Sequence, residues 1–196
     1  MIIVQIGANK GNTDNDPIYH TLCNLDNTDD VTLVLIEPHP KAKAILENVY
    51  HFVKNKIIVQ CGVGSKPGIY KFYTDNETEN NVSQHSSFNK QQILSQNHKE
   101  SDLTEYHVPI LTLESILTSL NLVEIDYLQI DTEGYDKDIL MDFPFRYFKI
   151  KKLQFEILHW DAPFTDKTSY VFIRRLCFNG YDVINKTNED VCLKYQ

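Results

Sequence analysis

The chain has 196 residues, 42% of them hydrophobic and 23% charged, the balance of one globular domain (1–196) with a sizeable core. Its formal net charge of −8 argues against nucleic acid or an anionic membrane as partner, because either would need clustered Lys and Arg. Cys23, Cys61, Cys177 and Cys192 form no C-x-x-C pair and sit in apolar settings, so they read as buried reduced thiols of a cytoplasmic protein; neither a signal peptide nor a membrane span is expected.

Ile2 to Ile6 is a short apolar run and predicts a buried strand. It stops at Gly7-Ala8-Asn9-Lys10-Gly11, where glycines let backbone approach a ligand closely. Pro17 suits the first position of a helix carrying Ile18 and Leu22. Thr32 to Ile36 is a second buried strand, closed by Glu37-Pro38-His39-Pro40, and Lys41 to Val53 follows as an amphipathic helix. Lys56 to Cys61 predicts a third strand before Gly62-Val63-Gly64, and Gly68 to Thr74 alternates like a strand.

Asp75 to Tyr106 is polar and without clear period apart from a short Gln91 to Leu94 stretch, so it predicts a long loop, either functional or mobile. Order returns with a short strand at Val108–Ile110 and a helix capped by Thr112. Tyr127 to Ile130 predicts a strand ending in Asp131-Thr132-Glu133-Gly134, with a helix from Asp136 to Phe143. Leu153 to Leu158 is the next strand and Ser169 to Phe178 the last helix, stopped by Asn179-Gly180. Tyr181–Lys186 and Asp190–Tyr195 are joined by so short a turn that only an antiparallel hairpin fits.

Alternating strands and helices imply a mostly parallel sheet with helices on both faces. In such a sheet ligands bind beyond the carboxyl ends of the strands, and there glycines and carboxylates converge. A carboxylate at Glu37 suits the two hydroxyls of a ribose and would repel a 2′-phosphate. Asp131 and Glu133 are close enough to couple in titration, so one can act as a base. Glu156 is the one charge in an apolar strand and His159, just after it, titrates near neutrality; both are candidate catalytic groups. Helix capping and ordinary surface exposure explain the same residues without chemistry. Asp131, Glu133, Glu156 and His159 also offer metal-ligand atoms, but no compact ligand spacing supports a metal, and no Gly-x-Ser-x-Gly elbow supports a serine nucleophile.

Together these segments resemble the FkbM family of S-adenosylmethionine-dependent methyltransferases. The resemblance is carried by Ile6–Gly11, Ile36–Pro40, Val108–Glu114 and Ile125–Asp136, with a weaker match at Ser86-Ser87-Phe88 where the family has Ser-Ser-Leu. It implies a Rossmann-like class I methyltransferase fold: a mostly parallel seven-stranded sheet with helices on both faces and a C-terminal antiparallel hairpin. It also implies S-adenosylmethionine as cofactor and O-methylation of a small-molecule or glycan hydroxyl acceptor. Gln5, Gly7, Ala8, Asn9 and Gly11 would lie at the methionine part, Glu37 with Pro38 at the ribose, and Gly62 with Val63 near the adenine. Ser87 would be a contact from the loop, and Asp131 and Glu133 would face the transferred methyl. Gln5 stands where the family has an acid, and Gln129 where a lysine is common. Two other readings compete: a cofactor-binding module without catalysis, which Gln5 favours, and a nicotinamide-dependent oxidoreductase, which the missing third glycine disfavours.

Overall fold

The computed structural model describes residues 1–13, 16–75, 83, 86–95, 98–158 and 168–196. The chain opens with β1 (Ile2–Ile6), whose side chains are almost wholly buried. Asp16 caps α1 (Pro17–Cys23), with Pro17 in its first turn, and β2 (Thr32–Ile36), α2 (Ala42–Val49) and β3 (Asn55–Val59) follow. Next come β4 (Gly62–Val63), β5 (Gly68–Asp75), β6 (Ser86–Ser87), α3 (Lys90–Ser95) and β7 (Leu103–Leu111). Thr112 then caps α4 (Leu113–Ser119) by accepting from Ser115 N at 3.1 Å. The chain continues through β8 (Glu124–Ile125), β9 (Tyr127–Ile130), α5 (Asp136–Met141), β10 (Lys149–Ile150) and β11 (Lys152–Glu156). It ends with α6 (Thr168–Phe178), β12 (Tyr181–Lys186) and β13 (Asp190–Tyr195).

The central sheet has seven strands in the order β12-β13-β11-β9-β1-β2-β3. β11, β9, β1, β2 and β3 pair in parallel, while β13 runs antiparallel to both β11 and β12. The closing hairpin therefore inserts its second strand between the first and the rest of the sheet. From β1 the chain winds outward to β2 and β3, then returns to β9 on the other side. The boundary between β1 and β9 is thus a topological switch point, where connections leave in opposite directions and a crevice opens.

Helices cover both faces, and the alternation of side chains along β1 shows how. Ile3 joins Leu33, Leu35 and Tyr127 against Ile18 and Leu22 of α1 and Leu46 of α2. Val4 and Ile6 join Val34, Ile36, Leu128 and Ile130 on the other face, against α4, α5 and α6 through Leu117, Leu140 and Phe172. Each such side chain contributes roughly 1.5–3 kcal/mol when taken from water to full burial. Burial on both faces is the reason these strands read as mainly apolar runs, broken by Gln5 and Gln129.

Several local expectations change. The segment 75–106 contains β6, α3 and a 3₁₀ turn at Glu100–Asp102, and the strand expected at Val108–Ile110 begins at Leu103. β5 and β7 form an antiparallel pair from Gly68↔Ile110 to Asp75↔Leu103, within a separate four-stranded sheet ordered β4-β7-β5-β6. The strand expected at Gly68–Thr74 is present as β5, with Ile69 68% exposed and Phe72 buried. Of the cysteines, Cys61 and Cys192 are buried as expected, but Cys23 and Cys177 are exposed, each lying on a helix with one side open to water.

Candidate active site

A cavity of about 490 Å³ lies at the switch point. β1 and the turn after it contribute Gln5, Gly7, Ala8 and Asn9; the end of β2 contributes Glu37 and Pro38. Cys61, Gly62 and Val63 follow β3, and Gln129, Asp131, Thr132 and Glu133 come from β9 and the turn beyond it. The small sheet and its extension add Phe72, Ser86, Ser87 and Phe88. Such a volume suits a nucleoside-sized ligand.

The glycines have separate reasons. A Cβ on Gly7 would fall 1.8 Å from the carbonyl oxygen of Asp131, and its φ of +78° is left-handed. Gly7 therefore lets the turns after β1 and β9 touch. At Gly62 a Cβ would meet the Phe88 ring at 2.6 Å, so its absence lets that ring lie over the strand end. Gly11 corrects an expectation: it does not line the cavity, and its missing Cβ makes room for Tyr50 and Leu46, at 2.6 and 2.8 Å. Its glycine serves packing behind the loop.

Glu37 is 6% exposed and accepts from Asn9 N at 2.8 Å and His39 N at 2.9 Å. A carboxylate has about four acceptor sites, so roughly two remain for ligand hydroxyls. Burial pushes its carboxyl above the usual range, and the two N–H groups pull it back. Asn9 adopts φ of +47°, a conformation asparagine tolerates, and this aims its N–H at Glu37. Its Nδ2 donates to Ser83 O at 3.1 Å.

Asp131 opens to water through the cavity, yet the surrounding walls withhold enough solvent to push its carboxyl up to about 7; nearby Asp136 and Glu133 add to this. Glu133 is exposed, with φ of +53°, and its backbone carbonyl accepts from Gln92 Nε2 at 2.8 Å. Gln92 also accepts from the Ser87 hydroxyl at 2.9 Å. One side chain of α3 thus ties the small sheet's extension to the turn after β9, while Asn9 ties it to the turn after β1. Ser87 lines the cavity as expected, but its hydroxyl is held by Gln92 and by the Asn89 N–H.

Glu156 does not line the cavity. It ends β11 half-buried, and burial with the charges of Asp136 and Asp131 pushes its carboxyl up to about 8. Its place is behind the turn, because Asp136 stands between: Asp136 is fully buried and accepts from Glu156 N and Thr132 N, both at 3.0 Å. Asp136 thus joins the ends of β9 and β11. His159 lies outside the described residues.

Sequence reading missed Thr13, Asp16, Phe72, Gln129 and Tyr135, all of which line the cavity. Asp16 carried a usable signal, an acid directly before a helix-starting proline. The aromatic wall did not. Phe72, Phe88 and Tyr135 contact in sequence-distant pairs, with ring centroids 5.0 and 5.4 Å apart. Among the described residues no group of three or more His, Cys, Asp or Glu is arranged to hold a metal ion.

The sheet order, the inserted antiparallel strand and a strand-end cavity at the switch point define a Rossmann-like class I methyltransferase fold. The fold likeness extends to a fibrillarin/Nop5p complex structure, with TM-score 0.51 and 11% identity over 100% of this chain and 72% of that one. The precorrin-6y C5,15-methyltransferase of Geobacter metallireducens aligns with TM-score 0.48 and 12% identity, covering 100% of this chain and 80% of that one. No curated protein sequence matches the chain. The family model described as "Methyltransferase FkbM domain" matches residues 5–183, and the chain belongs to that methyltransferase family.

Proposed function

We propose that this chain transfers a methyl group from S-adenosylmethionine to a hydroxyl of a sugar or small molecule. The observation that carries the reading is the charge of the cavity. Asp16, Glu37, Asp131 and Glu133 line it, and no Lys, Arg or His is among its described lining residues. A sulfonium-bearing donor finds complementary charge there, whereas the pyrophosphate of a nicotinamide dinucleotide would meet only carboxylates. The same field disfavours an anionic acceptor.

Glu37 would hold the ribose hydroxyls, and Gly62, Val63, Phe72 and Phe88 would enclose the adenine. When bound, the donor supplies an electrophilic methyl carbon. The remaining work is orientation of an acceptor oxygen in line with that carbon and removal of one proton. Asp131 would take that proton, its carboxyl being pushed up to about 7 by burial and by nearby Asp136 and Glu133. Glu133 stands next to it on the open side and suits contact with the acceptor rather than proton transfer.

The test is incubation with methyl-labelled donor, a panel of sugar nucleotides and host extract, read by mass spectrometry. A product heavier by one methylene, absent with Asp131→Asn, supports the reading. A product methylated on nitrogen or carbon overturns the hydroxyl assignment. Full turnover in Asp131→Asn overturns the base assignment.

A further inference from the structure

Gln5 stands near the end of β1 and is 2% exposed. Its Nε2 donates to Asp16 Oδ2 at 2.8 Å, across the loop between β1 and α1. Asp16 is 6% exposed and lines the same cavity. Its Oδ1 already accepts from Ile18 N and Tyr19 N at 2.8 and 2.9 Å. With about four acceptor sites on a carboxylate, roughly one remains, on Oδ2. An acid is therefore present near this strand end, supplied from the start of the helix.

Two more acceptors lie close by. Gln129 is the register partner of Gln5 on β9 and lines the cavity; it is 4% exposed. Its Oε1 is buried with no hydrogen-bond partner, and so is Asn9 Oδ1 on the turn after β1. Among the described residues these are the side-chain atoms left buried and unpartnered. An orphaned buried acceptor costs roughly 1–3 kcal/mol, so two on one cavity mark a place where a ligand brings donors. A carboxylate beside them selects a charged donor with several N–H bonds, which is an ammonium group.

We propose that Asp16, Gln129 and Asn9 seat the ammonium of the donor's amino-acid tail, with Asp16 supplying the charge that Gln5 lacks and Gln5 holding Asp16 in place. This rests on the donor reading above. Gln5 then serves by orienting the acid, through its Nε2 bond to Asp16 Oδ2.

The experiment is calorimetric titration of the full chain with three probes. S-Adenosylhomocysteine has the complete tail, its deaminated analogue keeps the carboxylate but lacks the ammonium, and methylthioadenosine lacks the tail. The wild type is expected to prefer the first over the second by about tenfold or more. Asp16→Asn keeps a good helix cap, so the fold survives. It should weaken S-adenosylhomocysteine by about tenfold and leave the deaminated analogue within about twofold. Gln129→Leu should act the same way, less strongly. Equal losses for both tailed probes, or no wild-type preference for the ammonium, overturn the seat while leaving the donor reading intact. Binding of none of the three probes by the wild type overturns both.

Discussion

The seven-stranded sheet brings strand-end carboxylates and backbone turns to the cavity, and the four-stranded sheet brings aromatic rings. The first is apolar on both faces and held by deep burial, with Ile3, Val4, Leu33 and Phe155 at 0% exposure. The second is largely open to water, and its edge strand β6 is two residues long. It is fastened over the cavity by polar contacts, Gln92 to Glu133 O and Asn9 to Ser83 O, by the Phe88–Tyr135 ring contact and by Val63 in the main core. Low local burial is where proteins open first, so the large sheet is a platform and the small sheet a cover. A binding site needs both: a platform to hold charge in place and a cover that releases product.

The sharpest way to break the platform is Gly7→Ala. The added Cβ would sit 1.8 Å from Asp131 O at a left-handed φ, so the turns after β1 and β9 must separate. Loss of more than roughly 4 kcal/mol is expected by urea unfolding, enough to unfold a marginal domain. Phe155→Ala removes a fully buried ring and should cost about 3–5 kcal/mol. On the cover, Ile69→Ala should change stability by less than about 0.5 kcal/mol, because Ile69 is 68% exposed. Gln92→Ala should also leave the melting temperature nearly unchanged while weakening donor binding several-fold, since it cuts the fastening on one side.

The two sheets should also respond oppositely to pH. Burial, with neighbouring carboxylates, pushes Asp131 up to about 7 and Glu156 up to about 8, from ordinary values of 3.8 and 4.5. The folded chain therefore binds these protons more tightly than the unfolded chain, so their contribution to stability declines as pH rises from about 4 to about 8. On the cover, Lys71 beside Glu105 and Lys90 beside Glu100 hold those carboxyls below the usual range. Their smaller contribution is present above about pH 4.5 and fades as pH falls further. Unfolding titrations of the apo chain should show stability falling between pH 5 and 8, and Asp131→Asn with Glu156→Gln should flatten that slope. A slope unchanged by the pair would separate the platform's acids from the pH response.

The same contrast governs what could be read from sequence. Ile2–Ile6, Thr32–Ile36 and Tyr127–Ile130 are legible because both faces are buried, so nearly every residue is apolar, Gln5 and Gln129 being the buried exceptions that line the cavity. The terminal hairpin is legible because its turn leaves no other topology. Glu37, Asp131 and the Gly7 turn follow from where strands end. The cover is only partly legible: β5 and the end of β7 show as strands, but β6, α3 and the start of β7 do not, and the β5–β7 pairing spans a long insertion. Gly11 was misread because its partner Tyr50 lies far along the chain. Gln129 shows from sequence only as standing where a lysine is common; the register sets it beside Gln5.

The most direct test is calorimetry of the wild type with S-adenosylmethionine and, separately, with reduced nicotinamide dinucleotide. The account predicts saturable binding of S-adenosylmethionine below about 1 mM, weakened about tenfold by Glu37→Ala, and no heat from the dinucleotide. Binding of the dinucleotide, or no response to S-adenosylmethionine from a folded chain, would contradict it.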